Sequence, residues 1–272
     1  MRRLGIVLLA LLGFGAGDAQ AAVIWTVGDA GDGSDQARAV AGTIQADGPD
    51  AFLYLGDVYP EGRAEDFAQR YDPVFGPLKS ITWPTPGNHE WANRRTGYHP
   101  YWRSRIHGRD WYRLRIEGWE VIALNSELRH DKRSPQIRWL KRVLAKHRGT
   151  CRLAFWHRPL RSPGLVHGGT ANIAPLWNSL RTHARLVVNA HDHLMARFRR
   201  IDGMTEYVSG AGGYTLYRVR PDRRTEFVRS GIQGALRIEL EPGRATAEFR
   251  DATGQVLDSS SARCRLLRNA AR

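Results

Sequence analysis

The sequence predicts an α/β fold of four layers, two mixed β-sheets packed face to face with helices outside them (α/β/β/α). Three observations predict it. Short apolar runs recur along the chain, each ending in a turn that carries a polar residue; helical periods separate the early runs; and beyond residue 200 the pattern turns to strands alone. The 272 residues are 42% hydrophobic and 10% aromatic, enough to bury one large core, and no Pro- or Ser-rich linker or repeat divides them.

The strand-like runs are 23–27, 51–55, a shorter one at 81–83, then 153–155 and 186–188. Continuous apolar runs of this length read as strands buried on both faces. Helical patterns fill 35–46, 64–71 and 134–147, the last opening on a Ser-Pro cap. Later strands are expected at 205–209, 235–240 and 245–249, the last two joined by Glu241-Pro242-Gly243-Arg244 as a hairpin.

The residues that end these runs form a chemical set. They are Gly28-Asp29-Ala30-Gly31, Gly56-Asp57-Val58-Tyr59, Gly87-Asn88-His89-Glu90, Trp156-His157 and Ala190-His191-Asp192-His193. Strand ends gather on one rim, so the set predicts a metal site at the C-terminal ends of the strands. Any one Gly-Asp or Gly-Asn pair is ordinary turn chemistry, and a lone buried histidine is more often a hydrogen-bonded core residue than a ligand. Five in succession supply what a two-metal centre needs, with cations about 3.5–4 Å apart sharing one bridging carboxylate. Asp57 is the natural bridge, Asp29 a terminal carboxylate, Asn88 a carbonyl oxygen, and His157, His191 and His193 imidazoles suited to zinc, iron or manganese. His99, His107, His130, His147 and His183 are assigned no role.

These motifs resemble the calcineurin-like metallophosphoesterase superfamily and, more narrowly, its purple acid phosphatase-like branch of bacterial secreted type, over about residues 23–264. The ordinary branch begins with Asp-x-His, whereas Asp29-Ala30-Gly31 lacks that histidine. The resemblance implies the four-layer fold and two metal ions, iron paired with zinc, manganese or iron. It places Asp29, Asp57, a tyrosine and His193 on one ion, and Asp57, Asn88, His157 and His191 on the other. His89 is then expected near the phosphate, and His167, ten positions beyond His157, where plant members place a substrate-contacting or proton-donating histidine. The chain departs from the pattern twice. Tyr59 follows Asp57 by two residues rather than three, so Tyr59 either ligates through a shortened loop or packs with water in its place. Ala190 stands where the family has glycine, which a negative φ tolerates.

The activity so implied is hydrolysis of phosphate monoesters by a hydroxide generated at the metal pair, with His89 or His167 protonating the leaving group. A phosphodiesterase acting on nucleotides or phospholipid headgroups would use the same centre, its pocket depth set by the loop 91–110. A third reading is an impaired phosphate- or polyanion-binding protein. Trp91 and Tyr98 are expected near the pocket by proximity to Asn88, while the other tryptophans read as packing.

Arg2-Arg3, the apolar stretch 4–15 and Ala19-Gln20-Ala21 read as a signal peptide over 1–21, leaving 22–272 as a periplasmic or secreted domain. No stretch reaches the roughly 20 apolar residues of a transmembrane helix. Cys151 and Cys264, the chain's two cysteines, are expected to pair in an oxidising compartment and pin the tail to the central sheet. The net charge of +14 comes mostly from scattered arginines. It carries no nucleic-acid motif, and suits a small phosphate-ester substrate and weak association with anionic envelope surfaces.

Overall fold

A computed structural model describes residues 21–146 and 150–264. The leader expected over 1–21, apart from Ala21, and the helix end expected at His147 fall outside the described residues. The strands, in chain order, are β1 (Ala22–Val27), β2 (Ala51–Tyr54), β3 (Thr82–Pro84), β4 (Tyr112–Ile116), β5 (Trp119–Ala123), β6 (Cys151–Phe155) and β7 (Leu186–Asn189). They continue with β8 (Met195–Phe198), β9 (Thr205–Ser209), β10 (Thr225–Arg229), β11 (Gly234–Glu241), β12 (Arg244–Asp251) and β13 (Val256–Arg263).

These strands form the two mixed sheets that the sequence predicts. One runs β13-β12-β11-β1-β2-β3, the other β10-β8-β9-β7-β6-β5-β4. In the first, β1, β2 and β3 are parallel and β11 to β13 antiparallel; in the second, β5, β6, β7 and β9 are parallel. Alternation along the central strands assigns the layers. Val121, Leu153, Phe155, Leu186 and Val188 join the core that also holds Leu236, Ile238 and Ala247 of the first sheet. Their neighbours Ile122, Ala154 and Val187 pack instead on Ile137, Leu140, Leu176 and Trp177, from helices Pro135–Lys146 and Ala174–Leu180. On the far side, helix Asp35–Asp47 buries Ala37, Val40, Ala41 and Ile44, and the Trp25 indole N–H donates to Asp47 (2.7 Å).

Local signals explain the element ends. Ser34 caps helix Asp35–Asp47 by accepting the Ala37 N–H (3.1 Å), and Gly48 closes it in the left-handed conformation. Ser134 accepts from the Ile137 N–H (3.3 Å) at the start of helix Pro135–Lys146. The helical stretch expected over 64–71 continues to Ile81, through a wide turn at Phe67–Tyr71. Pro73 does not stop it, because it sits directly after the wide turn at Phe67–Tyr71, where the register of the backbone bonds changes. The hairpin expected at 241–244 pairs Glu241 with Arg244 and uses Gly243 at φ 83°.

No described helix is long and apolar enough to cross a membrane. Cys151 and Cys264 form a disulfide with Cα atoms 5.6 Å apart and a sequence separation of 113. It does more than pin the tail, because it ties β6 of one sheet to the end of β13 in the other. Closing so long a loop restricts the unfolded chain by about 4–5 kcal/mol in the entropic account. Replacing both cysteines by serine is therefore expected to lower the unfolding free energy by about 2–5 kcal/mol, read as an earlier urea midpoint. An unchanged midpoint would show that the crosslink is energetically idle.

Candidate metal centre

The polar set sits where β1, β2 and β3 of one sheet and β6 and β7 of the other end at a common rim. Hydrogen bonds across the sheets join these ends. The His191 N–H donates to Asp29 Oδ2 (2.8 Å), the Ala190 N–H to the His157 carbonyl (2.8 Å), and the His157 Nδ1–H to the Leu55 carbonyl (2.8 Å). The turns are tight. Asp29, Asp57 and His191 adopt φ values of 55°, 68° and 70°, each costing on the order of 1–2 kcal/mol in a non-glycine residue. Glycine is required at Gly87, where a Cβ would fall 2.0 Å from Asp57 Oδ1. Ala190 has no positive φ, and its methyl fits because residue 28 is glycine: a Cβ there would lie 2.5 Å away.

The side chains gather into two adjoining clusters. In one, the Tyr59 hydroxyl stands 3.1 Å from His193 Nε2 and 3.5 Å from Asp29 Oδ1, with His193 Nε2 3.7 Å from that oxygen. In the other, His157 Nε2 is 3.2 Å from Asn88 Oδ1, 3.2 Å from His191 Nδ1 and 3.4 Å from Asp57 Oδ2. Asp57, His157 and His191 form a buried group with the spacing of a metal site. Tyr59 reaches the first cluster despite its shortened motif, because the turn after Asp57 is held against the first ligand turn: Val58 bridges to Gly31 and the Tyr59 N–H donates to the Gly31 carbonyl (2.9 Å).

The donor set fits a cation. The His157 and His193 rings each donate Nδ1–H to a backbone carbonyl, Leu55 and Thr215 (2.7 Å), which leaves Nε2 to offer a lone pair. Those lone pairs face the Asn88 and Asp57 oxygens in one cluster and the Asp29 and Tyr59 oxygens in the other. Ligand atoms about 2.0–2.2 Å from one ion stand about 3–3.5 Å apart, the separations seen in the second cluster. Burial holds the His191 imidazole well below its ordinary range and His193 down to about 4, so both are neutral at neutral pH. Burial would also lower His157, but the Asp57 charge and hydrogen bond outweigh it and push the ring up to about 10. A cation between them replaces that shared proton. Burial and the Asp29 and Asp57 charges raise the Tyr59 phenol well above 10, so a phenolate there needs a cation beside it.

His89 and His167 flank the clusters. His89 Nδ1 donates to the Pro60 carbonyl (2.6 Å) and its Nε2 is 3.9 Å from Asp57 Oδ2. The His167 ring stacks on His191 with centroids 4.3 Å apart, and its Nε2 is 3.3 Å from the Tyr217 hydroxyl. Tyr98, expected at the pocket, is buried, its hydroxyl donating to the Pro84 carbonyl (3.3 Å). The loop 91–110 lines a separate cavity at Arg95, His99 and Arg103. Another cavity, about 690 Å³, is lined by Ser126, Glu127, Leu128, Arg158, Thr170 and Pro175 and borders the site only through Arg158.

Four groups escape sequence reasoning. The buried Glu90 carboxylate accepts the backbone N–H groups of Asp57 (3.1 Å), Val58 (3.2 Å) and Gly87 (3.0 Å), fastening two ligand turns together. Burial and the Asp57 charge push it up to about 7. Arg158, gripped by Glu127 (2.8 Å), reaches His191 Nε2 (3.0 Å). Tyr214 stacks on Tyr59 and Tyr217 on His193, both with centroids 4.0 Å apart. Only Glu90 lies in a motif that spacing singled out.

Comparison with known proteins agrees with this geometry. The family model described as calcineurin-like phosphoesterase matches residues 22–195. No curated protein matches the chain. Among solved structures, a purple acid phosphatase from yellow lupin (Lupinus luteus) seeds is similar with a TM-score of 0.75 at 15% identity, over 90% of this chain and 54% of that one. The chain thus spans about half the length of the lupin protein. GAP50, the anchor in the inner membrane complex of Plasmodium, is similar with a TM-score of 0.70 at 15% identity over 92% and 90% of the two chains. A dimetal phosphatase from Danio rerio gives a TM-score of 0.61 at 14% identity over 89% and 98%. At these identities the likeness is one of fold.

Glu90→Gln turns an amide N–H toward backbone N–H groups that need an acceptor. It is expected to cost about 1–3 kcal/mol and to reduce the metal retained after dialysis; calorimetry and elemental analysis read both. Full stability with full metal content would refute the fastening role.

Proposed function

Because the chain belongs to the calcineurin-like phosphoesterase family, we propose that it is an exported two-metal phosphoesterase, purple acid phosphatase-like, that hydrolyses phosphate monoesters. Residues 1–21 are its leader and 22–272 its working domain; the Cys151–Cys264 disulfide agrees with an oxidising compartment. The single observation that carries the reading is the pair of adjoining, lone-pair-rich clusters at one rim. In it, Asp29, Tyr59 and His193 would hold one ion and Asn88, His157 and His191 the other, with the Asp57 carboxylate available to both. Iron paired with zinc, manganese or iron suits the mixture of phenol, carboxylate and imidazole. Bound there, the pair supplies Lewis acidity toward the phosphoryl oxygens and acidifies the attacking water.

The chain's own groups do the rest. Glu90 and the glycine turns keep the ligands in place before substrate arrives. His89 stands beside Asp57 with one nitrogen committed to Pro60, leaving the other for a phosphoryl oxygen. His167 lies over His191 and offers a proton to the leaving oxygen. Burial lowers its pKa, so its protonated form grows only as pH falls below the ordinary histidine range, and an acid optimum follows. The cavity beside Arg158 favours a second reading, a phosphodiesterase, because it has room for another ester substituent. A purely anchoring or phosphate-binding role would leave both clusters without use.

Hydrolysis of an aryl phosphomonoester by the metal-loaded 22–272 chain should fall by about 10²-fold or more on Asn88→Ala and on chelation. Retained metal with cleavage of a diester alone would replace the first reading by the second. His167→Asn should slow an alkyl monoester by about 10²-fold and an activated aryl ester far less, since only the poor leaving group needs the proton. Equal losses on both substrates would remove His167 as the donor.

A further inference from the structure

Among the described residues, the exposed large apolar side chains are Leu165, Val166, Tyr214, Ile232 and Val256. Four of these five lie on segments that border the metal centre; only Val256, at the start of β13, is elsewhere. Leu165 and Val166 are the most exposed, at 52% and 58%. They form the tip of a loop, 162–168, whose backbone pairs with 214–220. The Leu165 N–H donates to the Arg218 carbonyl (2.9 Å), the Arg220 N–H to the Pro163 carbonyl (2.8 Å), and Gly164 bridges Val219. The Gln233 side chain, next to Ile232, donates to the Tyr214 carbonyl (3.0 Å) and brings that residue to the same border.

This strap is built onto the candidate ligands. The Tyr217 N–H donates to the His193 carbonyl (3.0 Å) and the Tyr214 N–H to the Asp29 carbonyl (3.1 Å). Its charge is one-sided. Arg218, Arg220, Arg223 and Arg229 are exposed and make no ion pair among the described residues, while Asp222 is taken by Arg224 and Glu226 by Arg197. Exposed aliphatic side chains beside unpaired arginines match a surface with apolar depth and negative headgroups, and the chain's net charge of +14 has the same sign.

We propose that this strap docks the rim of the metal centre onto an anionic phospholipid bilayer, Leu165 and Val166 entering the interface and the arginines meeting the headgroups. Docking so places the candidate site within reach of phosphate groups at the membrane surface. A protein partner would need acidic groups around an apolar pocket; a second copy of this chain offers the same positive charge and is repelled. The inference stands on the surface and not on catalysis, so its test reads binding.

The metal-loaded 22–272 chain, which contains every described element, is sedimented with vesicles of phosphatidylcholine alone and of phosphatidylcholine with roughly one-third phosphatidylglycerol. The expected result is binding to the anionic vesicles only, weakened about tenfold both by Leu165→Ser with Val166→Ser and by Arg218→Ser with Arg220→Ser. Melting temperature, metal content and hydrolysis of a soluble aryl phosphate, where present, should not change in either variant. Three results overturn the proposal: no vesicle binding; binding that the arginine variant weakens but the apolar one does not, which is diffuse surface charge; or a concentration-dependent dimer that the apolar variant dissolves, which makes a second copy the occupant.

Discussion

The hydrogen bond from the His191 backbone N–H to the Asp29 carboxylate (2.8 Å) crosses from one sheet to the other at the point where the candidate site lies. Each ligand cluster draws on both sheets. Asp29 and Tyr59 come from turns of the first sheet and His193 from the second; Asp57 and Asn88 come from the first, His157 and His191 from the second. Neither cluster exists in half the molecule. Face-to-face packing is therefore a condition of the chemistry, and other contacts hold the same seam: the Ser209 hydroxyl to the Thr26 carbonyl (2.9 Å), the Gly28 N–H to the Ser209 carbonyl (2.9 Å), and the Trp119 indole to the Glu241 carbonyl (2.8 Å).

The seam stores energy that the rest of the fold must offset. Three left-handed non-glycine turns cost on the order of 1–2 kcal/mol each. Asp29, Asp57, Glu90 and Asp192 are all buried at the rim, and burial raises the Asp29 carboxyl well above its ordinary range. Such a concentration of carboxylates is unfavourable for folding and favourable for cation binding, because each charge lost to burial is regained beside an ion. The crosslink between Cys151 and Cys264 works at a distance from the site, lowering the entropy of the unfolded chain while leaving the rim's geometry untouched.

The sequence made the site legible because its residues are tied to strand ends, and strand ends are marked by apolar runs that stop at a polar turn. β1, β2, β6 and β7 are long enough in apolar residues to be seen, and the ligand turns follow them directly. β13 hides because Val-Leu-Asp-Ser-Ser-Ser-Ala-Arg is polar: it lies at a sheet edge, half exposed, where burial imposes no hydrophobic pattern. β4 and β10 hide for the same reason, alternating arginine or glutamate with apolar residues at or near the other sheet's edges. Tyr59 shows the limit of counting. Against a family pattern it is one residue short; the left-handed turn at Asp57 and the backbone bonds of Val58 and Tyr59 to Gly31 bring it to the cluster. Arg158, Tyr214 and Tyr217 meet the ligands through tertiary contacts that no spacing encodes, whereas Glu90 was in view but unassigned, because a carboxylate that binds backbone N–H groups looks like any acid in a motif.

One segment connects the site's inner and outer faces. The pairing of 162–168 with 214–220 sets Tyr217 against His193 and His167, while on its other side the same backbone carries Leu165, Val166 and the unpaired arginines. Its position is fixed from within by the Tyr214 and Tyr217 N–H bonds to the ligand-bearing turns. A displacement of the strap would therefore be felt at His167, which has no strand beneath it and is held by ring contacts with His191 and Tyr217, by the Tyr217 hydroxyl (3.3 Å) and by its backbone contact with the Asp192 carboxylate. The ligands sit at strand ends, and the strap holds the candidate proton donor through stacking and hydrogen bonds. The candidate proton donor thus sits on the same loop as the side chains that face outward, one residue beyond Val166.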